Sequence, residues 1–376
     1  MPVRIVHTAD NHIGIPYHSY KGDDRVHQRL VAERIDALQR LVVEANGRKA
    51  DFLVVAGDLF DRISVPARDV DATVRVLREF SGEAVLVLPG NHDYYDGPAA
   101  KLWRHFREAA AGSTVRLLAE PRVEEFAVDG QHVRFYPCPC PSKHGEESRI
   151  GWVAGVPKPA DAVHVGLAHG NVEGLSLDAE GRYFTMRQEE LAAAGVTTWL
   201  LGHVHVPFPA AASGGSPAFF MPGIHTPDSV RCRHPGHAWC IDIAADGVAA
   251  FEQLSPGRVR FARIDKTLRT GADVEGLARQ CGQLPAADTV LDLRLDGRLR
   301  AVDREKCETL VRSLRGAFLS VASEDTIAHE LDRTELERIY PVGTIAHRLL
   351  ARLIDDEKHP DAAWLAHELL EAEDDE

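Results

Sequence analysis

The sequence has no long apolar run. None of its 376 residues belong to an uninterrupted apolar stretch of about 18, and its first residues lack the apolar segment of a secretory signal. We therefore expect neither a membrane span nor export, and we expect a cytoplasmic protein. Six cysteines without a secretory signal favour reduced thiols over disulfides.

The sequence also lacks an excess of positive charge. The formal net charge is −14, from 43 basic and 57 acidic residues, which argues against one broad basic face for nucleic acid. Much of the acid is concentrated in residues 355–376. No G-x-x-x-x-G-K-[ST] motif occurs, so any ATP must be bound by another chain.

The most informative stretch is DFLVVAGDLFDR at residues 51–62. Residues 52–56 form an apolar, β-branched run that a glycine ends, which predicts a buried strand followed by a tight turn. Asp58 lies just after this strand. The reactive crevice of an open α/β sheet lies outside the carboxyl ends of its strands, so Asp58 is a candidate functional residue.

Four other strand-like runs also end in potential metal ligands. They are residues 3–7, 84–88, 163–168 and 197–201, and the side chains that follow them are Asp10, Asn11, His12, Asn91, His92, Asp93, His169, His203 and His205. Carboxylate, imidazole and amide groups together suit manganese, iron or zinc better than calcium or magnesium. The pattern therefore predicts a metal site built from several strand ends.

In this order the motifs resemble the calcineurin-like metallophosphoesterases, and in detail their SbcD branch, the nuclease subunit of the SbcC–SbcD DNA-repair complex. The likeness rests on HTADNHIG (7–14), GDLFD (57–61), PGNHD (89–93), AHGNVEG (168–174) and GHVHVP (202–207). It implies an α/β fold, a two-sheet sandwich flanked by helices with a small α/β capping domain and C-terminal helices. It also implies a metal-dependent DNA endo- and exonuclease active in repair and recombination.

The resemblance implies two divalent ions, and the mixed ligands favour manganese. One ion would take Asp10, His12, Asp58 and His205, and the other Asp58, Asn91, His169 and His203. Which of His203 and His205 serves which ion stays open. A water activated by both ions would attack the phosphodiester, so no protein nucleophile is needed.

His92 is the candidate to protonate the leaving oxygen or to stabilise the transition state. Asp61 occupies the position whose carboxylate pairs with this histidine in similar GDxxDR phosphatases, although some relatives carry histidine there. Asp93 is expected to order the turn. Arg62 either contacts phosphate or is a solvated side chain.

The sequence predicts three parts. Residues 1–254 form the nuclease domain, 255–325 a small α/β capping domain, and 326–376 a helical partner-binding segment with an acidic tail. Short strands at 218–221, 238–243 and 248–254 are expected to form a second sheet that packs against the first. The alternating prolines of PCPCPS at 137–142 predict irregular structure.

The C-terminal helices carry apolar faces that must dock somewhere. They pack either on this chain's own core or, as the resemblance implies, on the coiled-coil base of an SbcC-like ABC-type ATPase. The stripe that decides between these is Ile345, Leu349 and Leu353. The resemblance further implies DNA as a partner and a homodimer formed through helices near 98–111, whereas packing of those helices on their own domain explains their apolar pattern equally well.

Two positions depart from the SbcD pattern and bear on substrate handling, not on ligands. Asn11 stands where many relatives carry a large aromatic residue, and Val206 where the residue is often basic. Cysteines and histidines at 138, 140, 232, 234, 237 and 240 lack a recognised zinc spacing, which favours ordinary loop residues over a zinc site. The alternative functions are a stand-alone phosphodiesterase or phosphatase for small molecules and a binding protein with a vestigial site.

Overall fold

The computed structural model describes residues 2–175, 181–209, 216–232, 234–356, 359 and 362–374. The chain forms two compact units, residues 1–259 and 260–376. The division falls five residues after the domain boundary that the sequence suggests. Across the described ranges, no helix combines the length and apolar character that crossing a membrane requires.

The first unit is a layered α/β structure. Its strands are β1 (Val3–Thr8), β2 (Phe52–Ala56), β3 (Ala84–Leu88), β4 (Val115–Leu117), β5 (Glu124–Val128), β6 (Gln131–Cys138), β7 (Ala162–His169), β8 (Thr198–Gly202), β9 (Phe219–Phe220), β10 (Ala238–Ala244) and β11 (Gly247–Leu254). Its helices are α1 (Asp24–Gly47), α2 (Ala67–Leu77), α3 (Lys101–Ala110), α4 (Gly151–Ala154) and α5 (Gln188–Ala193), with a 3-10 turn at His18–Tyr20. The strands predicted before each metal-ligand motif are confirmed as β1, β2, β3, β7 and β8.

Two mixed sheets hold these strands. The first has the order β11-β10-β1-β2-β3-β4, and the second has the order β5-β6-β7-β8-β9. The predicted α/β fold with two sheets and flanking helices is confirmed. Side chains such as Phe52, Leu86, Phe135 and Leu167 form a buried apolar cluster drawn from both sheets, and a second cluster joins the first sheet to α1, α2 and α3.

The expected composition of the second sheet was wrong. β10 pairs antiparallel with β1 and with β11, so both belong to the first sheet, and only β9 joins the second. The second sheet is built instead around β6, β7 and β8, which pair in parallel. An apolar pattern identifies a strand, but its pairing partner depends on contacts distant in sequence, as between β1 and β10.

Two local predictions around β6 had different outcomes. The Asp129-Gly130 hairpin signal is confirmed, because both residues have positive φ (47° and 80°) and connect β5 to β6. The irregular PCPCPS segment was placed too early, since β6 continues through Pro137 to Cys138. Pro137 lies beyond the residues of β6 that pair with β5, where one edge of β6 is open and a missing N–H is tolerated.

The second unit begins with a parallel sheet covered by helices. Its elements are β12 (Arg260–Leu268), α6 (Gly271–Cys281), β13 (Thr289–Leu299), α7 (Ala301–Ala317), β14 (Ser320–Asp325), β15 (Ala328–His329), α8 (Arg333–Ile339), α9 (Ile345–Ile354) and α10 (Ala362–Asp374). β13 is central, with β12, β14 and β15 as its neighbours. The alternation of strand and helix agrees with the small α/β module expected from the sequence.

Helices α8, α9 and α10 form a small apolar cluster around the buried Leu331, Leu336 and Leu350. The predicted stripe lies mostly outside this cluster: Ile345 is 87% exposed and Leu349 46% exposed. Leu353 is half-buried. Of the acid-rich residues 355–376, positions 357, 358, 360, 361, 375 and 376 lie outside the described residues.

Candidate metal centre

The predicted site residues lie in the loops that follow four strands and, for His169, at the last position of a fifth strand, β7. β1, β2 and β3 of the first sheet and β7 and β8 of the second deliver these residues at their carboxyl ends. The structure brings together all nine of them: Asp10, His12, Asp58, Asp61, Asn91, His92, His169, His203 and His205.

The backbone of these loops is strained where ligands occur. Asp10 and Asp58 each have φ 53°, and His203 has φ 98°, in a region that non-glycine residues rarely occupy. The first two loops brace each other, because the His12 N–H donates to the Asp58 carbonyl (2.9 Å) and the Asp10 N–H donates to the Gly57 carbonyl (3.1 Å). The strain fixes where the carboxylates lie.

Two glycines allow the loops to approach this closely. A Cβ at Gly57, which has φ 94°, would lie 2.1 Å from His169 Nδ1. A Cβ at Gly90 would lie 2.2 Å from Asp58 Oδ1. Any side chain at either position would displace a predicted ligand.

One group of ligand atoms surrounds Asp10. Its Oδ1 atom lies 3.6 Å from His205 Nε2 and 3.9 Å from His12 Nε2. Its Oδ2 atom accepts a hydrogen bond from the His203 main-chain N–H (2.9 Å). Asp10 and His12 are buried, whereas the His205 side chain is 41% exposed.

Asp58 lies between this group and a second one. Its Oδ2 atom is 3.8 Å from His12 Nε2 on one side and 3.3 Å from His169 Nε2 on the other. Its Oδ1 atom accepts a hydrogen bond from the His92 main-chain N–H (2.8 Å). Asp58 is therefore within reach of both groups, as a bridging carboxylate must be.

The second group meets at Asn91. Its Oδ1 atom lies 3.1 Å from His169 Nε2 and 3.0 Å from His203 Nδ1. His169 donates its other nitrogen, Nδ1, to the Ala56 carbonyl (2.8 Å), which leaves Nε2 for a ligand. The distances place His203 with this group and His205 with Asp10.

A divalent cation fits this arrangement. Asp10 Oδ1 and both ring nitrogens of His12 are buried and accept or donate no hydrogen bond within the part of the chain that the structure describes. Buried polar atoms without partners are costly, and these converge on common points. Three groups have ligand atoms within 4.8 Å of one another, namely Asp10, His12 and His205; Asp10, Asp58 and His169; and His12, Asp61 and His92.

The electrostatics keep the Asp58 carboxylate ionised. Burial would raise the pKa of Asp58, but the charges of His169 and His12 outweigh it and hold the pKa below its ordinary value. Burial likewise would lower the pKa of His169, yet Asp58 raises it to about 9. The raised pKa means that His169 can carry a positive charge beside Asp58. A bound metal ion would supply that positive charge instead.

His92 is held by a group other than the expected one. Its Nδ1 lies 2.9 Å from the main-chain carbonyl oxygen of Asp61, not from the carboxylate. The Asp61 carboxylate instead accepts from Arg62 (2.9 Å) and lies 3.8 Å from His12 Nδ1. Arg62 also donates to the Gly14 carbonyl (3.0 Å), so it braces the loops.

Asp93 orders the turn after β3, as the sequence suggests. Its carboxylate accepts from the main-chain N–H groups of Gly90 (2.7 Å) and Phe60 (3.0 Å). Burial and the nearby Asp58 raise the pKa of Asp93 to about 8. Its role is to join the second and third motif loops.

The cysteines and histidines considered for zinc form no potential metal cluster within the described ranges. Cys138, Cys140 and Cys240 are buried, and burial raises the pKa of the Cys138 thiol to about 12. Cys232 Sγ lies 3.4 Å from His234 Nε2, but no cysteine belongs to a potential metal cluster within the described ranges.

Sequence reasoning did not place three residues beside His205, although it considered one of them, His234, as a zinc ligand. Asp228 lies 3.9 Å from His205 Nδ1, the buried Arg34 lies 3.9 Å from Asp228, and His234 donates to the His205 carbonyl (2.7 Å). They come from α1 and from the loop after β9, which lack a recognisable motif. Only the folded chain places them beside a predicted ligand.

The fold and the site define a metal-binding α/β protein with the ligand types of a hydrolase. The calcineurin-like phosphoesterase family matches residues 3–207, more than half of the sequence. The chain therefore belongs to the calcineurin-like phosphoesterase family, in which a dimetal site is typical.

Two curated relatives share part of the sequence. The uncharacterized metallophosphoesterase YhaO of Bacillus subtilis is 25% identical over 226 residues, covering 58% of this chain and 52% of YhaO. The DNA double-strand break repair protein Mre11 of Aeropyrum pernix is 24% identical over 283 residues, covering 72% of this chain and 65% of that protein. The matches thus span between half and two thirds of each relative's length.

Two solved structures have related shapes. The protein TT1561 of Thermus thermophilus has a TM-score of 0.42, and a dimetal phosphatase of Danio rerio has a TM-score of 0.39. Each is 13% identical and covers 68% of this chain and 100% of its own. At these TM-scores the likeness carries no functional information.

Proposed function

We propose that this chain is a manganese-dependent DNA nuclease of the SbcD type that hydrolyses phosphodiester bonds at a two-ion site. The observation that favours DNA is the match to a DNA double-strand break repair protein over 283 residues, which is longer than the 3–207 family match. The five motifs of the SbcD resemblance lie within or at the edge of that family match.

The ligand geometry supports two ions. Asp10, His12 and His205 would hold one, while Asn91, His169 and His203 would hold the other, with Asp58 shared between them. Two bound ions supply a clamp for the attacking and leaving oxygens and acidify a water. The chain's part is to fix both sets of ligands on strained, glycine-assisted loops.

His92 would act on the leaving oxygen. Its main chain is anchored to Asp58 (2.8 Å), and its Nδ1–H would donate to the Asp61 carbonyl (2.9 Å), which leaves Nε2 to exchange a proton with the substrate. In this proposal the main-chain carbonyl of Asp61 orients His92, and the Asp61 carboxylate lies beside His12 and contributes less to the reaction.

We also propose a coiled-coil ABC-type ATPase as the partner of the C-terminal helices. Ile345, Leu349, Leu365 and Leu369 are between 46% and 87% exposed, although large apolar side chains usually avoid water. An apolar helix face of this kind suits a helix-in-groove contact. A cytoplasmic location would place the chain with DNA and such an ATPase.

A homodimer is proposed through α2 and α3. A cleft of about 650 Å³ lies along these helices and is lined by Ile63, Val65, Leu102 and Trp103, among others. Ile63 is 44% exposed. The apolar side chains of α2 and α3 are themselves buried, so the exposed Ile63 and the cleft beside the helices are what supports a contact with a second copy.

The test compares substrates and variants. Purified protein is incubated with linear single- and double-stranded DNA and with bis(p-nitrophenyl) phosphate, with and without manganese. The nuclease proposal predicts manganese-dependent DNA cleavage that Asp58→Asn removes and that Asp246→Asn, an exposed turn residue, leaves intact. Efficient hydrolysis of the small diester with no action on DNA would support the stand-alone phosphodiesterase instead.

A further inference from the structure

The loop after β9 packs against His205, and Asp228 is its closest carboxylate to that ring. Asp228 Oδ2 lies 3.9 Å from His205 Nδ1 and 3.9 Å from the Arg34 Nη2 atom. The carboxylate is thus placed between an imidazole and a guanidinium. Neither the motifs nor the family match, which ends at residue 207, includes it.

Arg34 is fixed in place on its other sides. It is fully buried, its Nε–H donates to the Tyr17 hydroxyl (3.0 Å), and its Nη1 donates to the Asn11 carbonyl (3.3 Å). A buried charge is expensive unless it is paired. The adjacent Glu33 already accepts from Arg29 and Arg40, so Asp228 is the carboxylate left to balance Arg34.

The His205 ring is held in place by packing less firmly than the ring of His169. Its side chain is 41% exposed, whereas that of His169 is 0% exposed, so packing alone does not hold the His205 ring. Its main-chain carbonyl accepts from His234 Nε2 (2.7 Å), which fixes the backbone but not the ring. A metal-ligating imidazole is usually oriented by an acceptor on its other nitrogen.

We propose that Asp228, held by the buried Arg34, is a positioning residue that orients His205 so that Nε2 faces Asp10. At 3.9 Å the negative carboxylate attracts a hydrogen to Nδ1 electrostatically and thereby favours the tautomer with Nε2 available for an ion. This inference rests on the metal centre of the proposed function, and it does not depend on DNA being the substrate.

The experiment measures manganese binding by calorimetry in wild type, Asp228→Ala, Asp228→Asn and the exposed control Asp246→Asn. Wild type and Asp246→Asn should each bind two ions, and the affinity of each site should be the same in both proteins. Asp228→Ala should weaken one of the two sites by about 10- to 100-fold, the usual effect of losing an outer partner of a ligand. Asp228→Asn keeps the shape of the side chain and an acceptor oxygen, so its manganese affinity should lie between those of wild type and Asp228→Ala. This variant also keeps the test valid if Asp228→Ala folds poorly.

Hydrolysis as a function of manganese concentration separates positioning from a merely structural role. Asp228→Ala should be slow at limiting manganese and should recover the wild-type rate at saturating manganese, with a metal-free melting temperature close to that of wild type. Unchanged manganese affinity in Asp228→Ala would overturn the inference. So would a loss of rate that persists when both ions are bound. A wild type that binds no manganese would instead overturn the proposed function itself.

Discussion

The Nδ1 atom of His92 lies 2.9 Å from the main-chain carbonyl oxygen of Asp61. A carbonyl only accepts hydrogen bonds, so this contact assigns a hydrogen to Nδ1 and leaves Nε2 as the nitrogen that can give or take a proton at the substrate. The loop after β2 thereby sets the orientation of a side chain from the loop after β3.

His92→Ala should retain both ions and lose hydrolysis by a factor on the order of a hundred or more, the scale of general acid–base residues. The reason is that His92 reaches Asp58 only through its main-chain N–H, which alanine keeps. Single-turnover rates and metal content would be measured together. Loss of an ion from this variant would make His92 a ligand, in line with its proximity to His12 and Asp61.

Asp61→Asn should reduce the rate less than His92→Ala. The substitution preserves the main-chain carbonyl that accepts from His92 and alters only the carboxylate beside Arg62 and His12. Rates of the two variants at saturating manganese would be compared. If Asp61→Asn were as slow as His92→Ala, the carboxylate rather than the carbonyl would be the important partner.

The ligand loops could be read from the sequence because each combines a local strand pattern with a short motif. Gly57 and Asp58 illustrate this, since an apolar run predicts the strand and the glycine predicts the turn that exposes the carboxylate. The contacts of Arg34 and Asp228 around His205 could not be predicted in this way. Arg34 lies about 190 positions before Asp228 in the chain, and nothing local to either residue indicates that they meet.

Strand pairing could not be predicted from the sequence for a related reason. β10 has the apolar sequence of an ordinary buried strand, and only its pairing with β1, from the other end of the first unit, assigns it to the first sheet. Likewise, the pattern of the C-terminal helices predicts an apolar stripe at Ile345 and Leu349 but not which of its neighbours, such as Leu350, is covered.

Replacing Ile345 and Leu349 together by Glu should leave the melting temperature nearly unchanged, because both side chains are already exposed to water. The same change should abolish binding to a coiled-coil ATPase if the stripe is its contact surface. Leu350→Glu is the matched control: Leu350 is fully buried in the same helix, so it should lower the melting temperature markedly. Strong destabilisation by the double variant would show that the stripe packs on its own chain.

Acid should destabilise the metal-free protein partly through His7. Both its ring nitrogens are buried without a hydrogen-bond partner in the described structure, and burial lowers the pKa of His7 to about 3. The unfolded state, with an ordinary pKa near 6.5, binds the proton first. The contribution of the neutral, buried His7 to the free energy of unfolding is therefore complete above about pH 6.5. It is lost as the pH falls towards 3.

His7→Leu should flatten this dependence. Between about pH 6 and pH 4 the free energy of unfolding of wild type should fall more steeply than that of the variant, by about 1.4 kcal/mol per pH unit for one proton. Urea unfolding in the presence of a chelator measures both slopes. Parallel slopes would mean that His7 takes up its proton equally in the folded and unfolded chains.

The proposed bridging of two ions by Asp58 is tested by the manganese content and activity of wild type compared with Asp58→Asn. Wild type should hold two manganese ions per chain by elemental analysis after equilibration, and it should cleave a phosphodiester only when they are present. Asp58→Asn should lose at least one ion and the activity, because the carboxylate lies within 3.8 Å of His12 and 3.3 Å of His169. A wild type without bound manganese, or an Asp58→Asn variant with two ions and full activity, would show that Asp58 does not bridge two catalytic ions.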